Sequence, residues 1–516
     1  MTSKEEVKKA NDIQRISLKG HKSSVTCLAH SSSSIIPAKL NSKSNSQSKS
    51  ESNTEDVFTS DVLLLSGSED GTARLWDLRS GTRAIKCIMV PEKEDVTSVA
   101  FYPASIETSQ VNDESTAKIT CSRLSNAYTV YVSCGANVYG YDIRNSSAPL
   151  IREYDHNLTS QLQNQDDINQ LSFVFAKHGN APTCSSPCFI AAADDYGHVR
   201  LSDVHSSSLS SKILPHASMN NPAIVTNAIF QPKSRHIFHS KQSLILASGG
   251  TDCTVHLWDA LSKRSLHSPS LSHVITQDDQ NTTGQVCNPP FIHSLSFSHS
   301  GILLAAGLGD GTTLIYRIHD PSLSSSTSST FTNISKKKGN AKSSKHLKKQ
   351  HQTTSKKQSP KLQLDPCVRL RDGHGSSVAC AHFPRFHLSN SSDTQTHTQA
   401  QMNHYIAKED RLFCSAGNDG AILFWDLGIN VVGKEALDPS SFFSSTSHSN
   451  SQHIRSCHNS ERTLKDGKQS ILFGIPHEQK PNWLTSSSQT QSGVLPSSLF
   501  VADTTNDITV YMMDII

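Results

Sequence analysis

The segment SGSEDGTARLWDLRSG, residues 66–81, places a serine, an aspartate and a tryptophan at spacings that recur further along the chain. In SGGTDCTVHLWDAL, from Ser248, and in SAGNDGAILFWDLG, from Ser415, the serine again precedes the aspartate by four residues, and the aspartate precedes the tryptophan by six. Alternating apolar residues on both sides of an Asp/Gly turn are typical of a β-hairpin. Three copies of the same two spacings predict an internal structural repeat.

Four weaker segments extend this repeat to seven units. Each has two strand-like runs around a polar turn, and the tryptophan position is then occupied by Tyr141, Ser202, Tyr316 or Tyr511. A further short strand is predicted before each of the seven hairpins, with the sequences VTCLAH, VTSVAFYP, INQLSFVF, VTNAIFQP, IHSLSFSH, VACAHFP and, least clearly, ILFGIP. A unit of this kind cannot bury both of its faces alone, whereas units packed radially around an axis can. The repeat therefore predicts an all-β, seven-bladed propeller.

The two chain ends indicate how the ring closes. The chain stops five residues after Tyr511, so the last unit lacks an outermost strand, while DIQRISLKGH at residues 12–21 is a surplus strand before the first unit. We expect this N-terminal strand to complete the last blade.

Polar segments interrupt the repeat. They are rich in Ser, Thr, Asn, Gln, His and Lys and contain too few bulky apolar residues to offset the entropy lost on ordering. We expect one propeller domain over 11–516 after a flexible N-terminus at 1–10, with disordered insertions near 31–56, 104–126, 320–365, 386–406 and 430–468. Most of them follow the first or third strand of a unit, which places them on one rim.

The Gly-His pairs at 20–21 and 373–374, together with the serine, aspartate and tryptophan spacings, resemble the WD-repeat family. The resemblance implies a buried tetrad in which indole, hydroxyl, imidazole and carboxylate satisfy one another. Unit four lacks the histidine, and only units one and six contain the full set, namely His21, Ser66, Asp70 and Trp76, and His374, Ser415, Asp419 and Trp425.

A Ser/His/Asp set also suggests a hydrolase. A nucleophilic serine needs an exposed oxygen on a strained turn, however, and the chain contains no G-x-S-x-G sequence. The structural tetrad is favoured, and we expect no enzymatic activity and no cofactor. Cys184 and Cys188 lack matching Cys or His ligands nearby, so no metal is expected there either.

Charge and hydropathy restrict the setting of the protein. The N-terminus has no apolar signal-peptide core, and no apolar run approaches the roughly 20 residues that span a bilayer. We expect a soluble protein of the nucleus and/or cytoplasm with no membrane partner, acting as a monomer within a complex.

Residues 336–361 contain ten lysines and no acid, although the whole chain carries only +3. This segment is a solvated linker, a nuclear-localisation signal or a nonspecific polyanion contact; it has no aromatics for stacking on nucleic acid.

Two arginines follow the third strands of units one and two. Trp76, Asp77 and Arg79 form a complete W-D-x-R sequence, and Asp142 and Arg144 repeat its second half. Each arginine is either a solvated rim residue or a docking residue. The sequence resembles the motif by which WD-repeat substrate receptors dock on the triple-propeller adaptor of cullin–RING ubiquitin ligases. The C-terminal unit, from PNWLTSS to VADTTNDITVYMM, resembles one branch of the family whose motif lies in the second unit, which matches Arg144.

The opposite rim carries acidic residues, which either cap turns or attract a basic segment of a client protein. They are Glu69, Glu92, Glu94, Asp95, Asp166, Asp167 and Asp194. The resemblance implies a non-enzymatic interaction scaffold that serves as substrate receptor of a cullin–RING ligase and binds an unknown client. The alternative is a scaffold subunit of a nuclear assembly unrelated to ubiquitin.

Overall fold

The computed structural model describes the strands of the propeller and the turns that join them. The described residues are 13–31, 63–103, 128–144, 148–175, 188–206, 211–216, 223–232, 244–271, 288–319, 362–371, 373–386, 410–427, 470–488 and 496–513. The predicted flexible N-terminus at 1–10 and most of the predicted insertions lie outside them. Within these ranges no helix has the length and hydrophobicity that a bilayer span requires.

The described strands form seven separate sheets, antiparallel except for one short parallel pair, and these are the seven predicted blades. From its inner to its outer edge, blade 1 contains β2 (Val25–His30), β3 (Leu63–Ser68), β4 (Thr72–Asp77) and β5 (Ala84–Met89). Blade 2 contains β6 (Val96–Phe101), β7 (Thr129–Cys134), β8 (Asn137–Asp142) and β10 (His156–Asn157). Blade 3 contains β11 (Ile168–Phe175), β12 (Cys188–Asp194), β13 (His198–Asp203) and β14 (Lys212–Pro215). The two-residue strand β9 (Leu150–Ile151) adds to the outer edge of blade 1, and the one described helix, α1 (Thr159–Leu162), follows β10.

Blades 4 to 7 repeat this order. Blade 4 contains β15 (Val225–Phe230), β16 (Ile245–Gly250), β17 (Val255–Asp259) and β18 (Arg264–His267), and blade 5 contains β19 (Ile292–Phe297), β20 (Leu303–Leu308), β21 (Thr313–His319) and β22 (Gln363–Leu370). Blade 6 contains β23 (Val378–His382), β24 (Leu412–Gly417), β25 (Ala421–Asp426) and β26 (Ser470–Pro476). Blade 7 contains β27 (Pro481–Ser487), β28 (Ser497–Asp503), β29 (Asp507–Met513) and β1 (Gln14–Lys19). The seven-bladed all-β propeller predicted from the repeat is confirmed.

The second strand of every blade is buried along its whole length. Each blade lies between two neighbours, so both faces of its central strands are removed from water, and Val, Leu, Ile and Ala dominate them. One apolar cluster, for example, joins Leu65 and Leu75 of blade 1 to Val96, Val99 and Val132 of blade 2. Burial of both faces at about 25 cal/mol per Å² of apolar surface is the main force holding the ring.

The first strand of every blade pairs irregularly with the second. The register shifts after the first pair in all seven blades, for example between Val25 and Cys27 in blade 1 and between Pro481 and Trp483 in blade 7. A bulge at a fixed place increases the local twist of the strand. The shared bulge shows that the weakly matching units have the same backbone as the three with tryptophan.

Closure by the N-terminal strand is confirmed. Strand β1 pairs antiparallel with β29, from Gln14 opposite Met512 to Lys19 opposite Asp507. The Ser17 hydroxyl also donates to the Asp507 carboxylate at 2.8 Å. Blade 7 is therefore built from both ends of the chain.

Strand assignment around residue 470 needs a correction. ILFGIP, predicted as the first strand of the last unit, lies in β26 and is the outermost strand of blade 6. Phe473 stacks on Phe424 of β25 with ring centroids 4.4 Å apart, which fixes it there. The first strand of blade 7 is β27, which contains Trp483.

The expected insertion boundaries also change. Residues 363–365 belong to β22, so the segment expected at 320–365 cannot extend that far. Ser31 and Phe386, placed at the edges of two other insertions, are buried against the propeller. Side chains packed in the core have a defined place that composition alone does not reveal.

Candidate protein-binding site

The blade 1 tetrad is assembled inside the propeller. The Trp76 indole N–H donates to the Ser66 hydroxyl at 2.9 Å, and this hydroxyl lies 2.7 Å from Nε2 of His21. Nδ1 of His21 lies 3.2 Å from the Asp70 carboxylate. Because the Ser66 side chain is completely buried, its oxygen cannot reach a substrate. The geometry is that of a structural network.

Electrostatics support a neutral histidine beside an ionised carboxylate. Burial lowers the pKa of His21, which outweighs the opposing influence of Asp70. Burial acts to raise the pKa of Asp70, but hydrogen bonds from His21, Thr72 and the Lys22 N–H hold it well below its usual range. A neutral imidazole can donate from Nδ1 to the carboxylate while its Nε2 accepts from Ser66.

Blade 6 contains the same arrangement. The Trp425 indole donates to Ser415 at 2.8 Å, Ser415 lies 2.8 Å from Nε2 of His374, and Nδ1 of His374 lies 3.2 Å from Asp419. The structure thus brings together both predicted sets of four.

Unit four also has a complete set, contrary to the expectation that it lacks the histidine. Trp258 donates to Ser248 at 2.8 Å, and His216 lies 2.7 Å from Ser248 and 3.1 Å from Asp252. His216 follows a proline, so the search for Gly-His pairs missed it. It comes directly after β14, the outermost strand of the preceding blade.

Blade 7 has a shorter version of the network. The Tyr511 hydroxyl contacts Nδ1 of His477 directly at 2.8 Å, and Nε2 of His477 lies 2.9 Å from Asp503. All four network histidines, His21, His216, His374 and His477, follow the outermost strand of the blade before their own. Each network therefore links two neighbouring blades.

Both candidate docking arginines lie just after the third strand of their blades, on the same rim. Nε and Nη2 of Arg79 donate to the two carboxylate oxygens of Asp77 at 3.0 and 2.8 Å. Arg144 makes the same two-bond contact with Asp142, at 3.0 and 2.5 Å, and its guanidinium lies 4.3 Å above the Tyr128 ring. The side chains of Arg79 and Arg144 remain 47% and 35% exposed. Each aspartate thus fixes an arginine that still faces solvent, whereas Trp76 is buried in the tetrad.

A crossover joins the outer edges of these two blades. Residues 148–151 pass from blade 2 to blade 1, where β9 pairs in parallel with β5. The chain then returns to blade 2, where His156 pairs with Gly140. This connection, which sequence reasoning missed, holds together the two blades that carry the arginines.

The opposite rim, formed by the turns between second and third strands and by the connections from one blade to the next, is acidic over blades 1 to 3. Carboxylates are close enough here to interact, because burial first and then Asp166, Asp195 and Asp95 raise the pKa of Asp167. Tyr196 lies in the same region and is exposed. Asp194 does not belong to this surface, since it is buried and its carboxylate lies 3.5 Å from Nε of Arg200.

The seven blades define the class of the protein, a β-propeller, and the hydrogen-bonded networks of blades 1, 4 and 6 are similar to those of WD repeats. A model of the WD domain, G-beta repeat matches residues 46–77 and 221–259, which include the hairpins of blades 1 and 4. Over 456 residues the chain is 24% identical to the WD repeat-containing protein 53 homolog of Dictyostelium discoideum, covering 86% of this chain and 87% of that protein. A resemblance to WD repeat-containing protein 53, the branch of the family indicated by the C-terminal unit, is thereby confirmed over most of the chain.

One of the solved structures that match aligns over most of the chain. The β-propeller domain of Cps50 (Swd1) from Myceliophteria thermophila aligns with 97% of this chain and 100% of its own, with a TM-score of 0.49 and 11% identity. Proteins built from WD repeats are generally non-enzymatic scaffolds for protein–protein interaction.

Proposed function

We propose that this protein is a substrate receptor of a cullin–RING ubiquitin ligase, which docks through Arg144 and Arg79 and presents a client on the acidic rim. The observation that carries the proposal is the pair of aspartate-held arginines on one rim of adjacent blades. A guanidinium offers five donors in a rigid plane and loses little hydration on burial, which makes it a strong anchor in interfaces.

Preorganisation strengthens this argument. The aspartate two residues earlier fixes each side chain in the free protein, so less rotamer entropy is lost on binding. Stacking on Tyr128 gives Arg144 a second fixed contact. Arg144 also occupies the unit where the resemblance places the docking motif, so we expect it to contribute more than Arg79.

The two rims would then have separate tasks. The docking arginines lie at the ends of third strands, whereas Glu69, Asp166 and Asp167 lie in turns at the opposite ends of the blades. A receptor must bind ligase and client at once, and opposite rims allow both. The acidic rim favours a client segment rich in Lys or Arg.

Binding to the purified triple-propeller adaptor tests the docking step. We expect the wild type to bind and Arg144→Ala to weaken binding by at least about tenfold, the loss typical of an interface anchor. Arg79→Ala should have a smaller effect. Arg83→Ala is the matched control, because Arg83 is exposed in the connection that follows Arg79 and has glycine two positions before it.

Thermal melts of all variants separate lost docking from lost folding. Equal binding by the wild type and the double variant Arg79→Ala/Arg144→Ala would overturn the arginine assignment. If the wild type itself does not bind, the receptor proposal fails and a nuclear scaffold unrelated to ubiquitin becomes the better hypothesis.

A further inference from the structure

Blade 4 contains a second histidine beside its buried network. His256 lies two residues before Trp258, where blade 1 has Arg74 and blade 6 has Leu423. Its ring stacks on Trp258 at a centroid distance of 5.1 Å and meets the edge of the His216 ring at 4.3 Å. A WD network does not need this residue, since blades 1 and 6 form theirs without it.

We propose that His216, Asp252 and His256 form a binding site for a zinc-class divalent cation. One ligand atom from each of the three residues lies within 4.8 Å of the other two. Two imidazoles and one carboxylate are a donor set suited to Zn²⁺ and its first-row neighbours, and unsuited to Mg²⁺ or Ca²⁺, which prefer oxygen ligands. Three protein ligands leave a fourth position for water or for a side chain of a partner.

Hydrogen bonds already orient both imidazoles. Ser248 holds Nδ1 of His216 at 2.7 Å, and Ser268 holds Nδ1 of His256 at 2.8 Å. Histidines that bind metals usually have their other ring nitrogen fixed in this way. Nε2 is the nitrogen of each ring that does not contact a serine, and Nε2 of His216 faces the third ligand, Asp252, at 3.1 Å. The Thr254 N–H likewise holds the Asp252 carboxylate at 3.0 Å.

A cation would replace a proton in this network. In the metal-free protein Nε2 of His216 donates to the Asp252 carboxylate at 3.1 Å and therefore carries a proton. Metal binding needs a deprotonated ligand nitrogen, so the ion would displace this proton to solvent or to Nδ1 of the same ring.

Only a small rearrangement is needed. Zn–N and Zn–O bonds of about 2.0–2.2 Å place ligand atoms of a tetrahedral site about 3.4 Å apart. Nε2 of His216 and Oδ1 of Asp252 already lie 3.1 Å apart. The His256 ring has to turn towards them, and Ser268 can follow because it is exposed.

The chain offers two matched variants. His256→Leu reproduces the residue of blade 6 at this position, and His256→Arg reproduces that of blade 1. Both replacements occur naturally beside an intact Trp–Ser–His–Asp network, so the tetrad of blade 4 should persist. Both variants remove a ligand, and the arginine also repels a cation.

Zinc titration calorimetry on the full chain, stripped with a chelator and kept reduced, tests the site. Other histidines and cysteines, of which the sequence has 26 and 12, contribute the same background to every protein. We expect the wild type to bind one equivalent of Zn²⁺ more than either variant. Zn²⁺, but not Mg²⁺, should raise the melting temperature of the wild type more than that of the variants.

The result that overturns the proposal is equally specific. Equal zinc stoichiometry and affinity in the wild type and in a folded His256 variant would show that the three residues do not form a metal site. Co²⁺ provides a second measurement, because tetrahedral d–d absorption should appear in the wild type and be weaker in both variants. Absence of that difference would also contradict the site.

Discussion

The blades have the same backbone but differ in the polar groups buried between them. Two groups can be compared, namely blades 1, 4 and 6 and blades 2 and 5. In the first group the tryptophan of the third strand donates a hydrogen bond to a buried serine, and a histidine links this serine to an aspartate. In the second group Tyr141 and Tyr316 occupy that position, and their buried hydroxyls have no hydrogen-bond partner among the described residues. All five blades nevertheless share one strand order and one bulge. Apolar packing and the hairpin determine the blade, and the polar network adds stability where it occurs.

Blades 3, 5 and 7 show further variants. Blade 7 omits the serine, because the tyrosine hydroxyl reaches His477 directly. In blade 5 the aspartate is retained, but Arg369 replaces the histidine and donates to Asp310 at 2.9 Å. In blade 3 Arg200 and Asp194 form a buried pair on the same side of the blade. A buried or largely buried carboxylate is therefore paired in each of these blades, as expected from the cost of leaving such a charge alone.

Acid should have the largest effect on this contrast, because the aspartates of all four histidine networks have pKa values below their usual range. His21 and His256 have lowered pKa values when folded, His256 about 4, so the unfolded chain binds more protons below pH 6.5. Their contribution to stability is lost as the pH falls from 6.5 towards 4. Asp70 and Asp419 have lowered pKa values, so their contribution is lost as the pH falls further, through the folded values.

Urea unfolding at pH 7, 5 and 4 in the presence of a chelator measures this loss. The His256→Leu variant should show a shallower decrease between pH 6.5 and 4 than the wild type. Parallel curves for the two proteins would contradict the role assigned to His256 burial.

Ser66→Ala is the next largest expected change. It leaves the Trp76 N–H and Nε2 of His21 buried without a partner, at about 1–3 kcal/mol for each group. We expect the free energy of unfolding to fall by about 2–4 kcal/mol in chemical denaturation. Ser262→Ala removes an exposed serine whose hydroxyl donates to the Asp259 carboxylate at 2.7 Å, and it should cost less than about 1 kcal/mol because water can replace this bond. A Ser66 variant as stable as this control would show that the network contributes nothing measurable to the free energy of unfolding.

Tyr511→Phe and Tyr316→Phe remove the same atom from two different settings. At Tyr511 the hydroxyl contacts His477, so its loss should cost about 1–3 kcal/mol. At Tyr316 the buried hydroxyl has no described partner, so its loss should be neutral or should stabilise the protein slightly. Thermal or urea melts of the two variants give the comparison directly. Equal destabilisation would indicate that Tyr316 is satisfied by a group outside the described residues.

The smallest effect concerns the turn of blade 4. Gly71 and Gly420 adopt positive φ of 72° and 75° in the turns of blades 1 and 6, whereas blade 4 has Cys253 there with φ of 60°. A residue with a Cβ pays about 1–2 kcal/mol for this conformation. Cys253→Gly relieves that strain but increases the entropy of the unfolded chain, so we expect a gain of less than about 1 kcal/mol. Gly71→Cys should instead destabilise, because its Cβ would lie 3.0 Å from the Lys93 backbone; melts of the two variants should therefore shift in opposite directions.

Features within a hairpin were predictable from the sequence, and features between blades were harder to predict. Ser66, Asp70 and Trp76 lie on two strands joined by a short turn, so their spacing is constant and visible. His216 comes from the preceding blade and follows proline instead of glycine, so no fixed local spacing identifies it. ILFGIP was misplaced for a related reason, because a long connection of variable length separates β25 from β26. Closure was predictable because one strand was missing at one end and surplus at the other.

Pairing of the N-terminal strand β1 with β29 means that the propeller cannot close until late in synthesis of the chain. Ser17 and Asp507 are 490 residues apart in the chain, yet they meet in one sheet. At about 5–20 residues per second, a ribosome needs roughly 25–100 s to deliver the partner of a strand that it made first. During that interval β1 lacks its native partner and β2 faces no seventh blade, and both edges are open to wrong pairing. The ring can therefore close only after β29 has been synthesised.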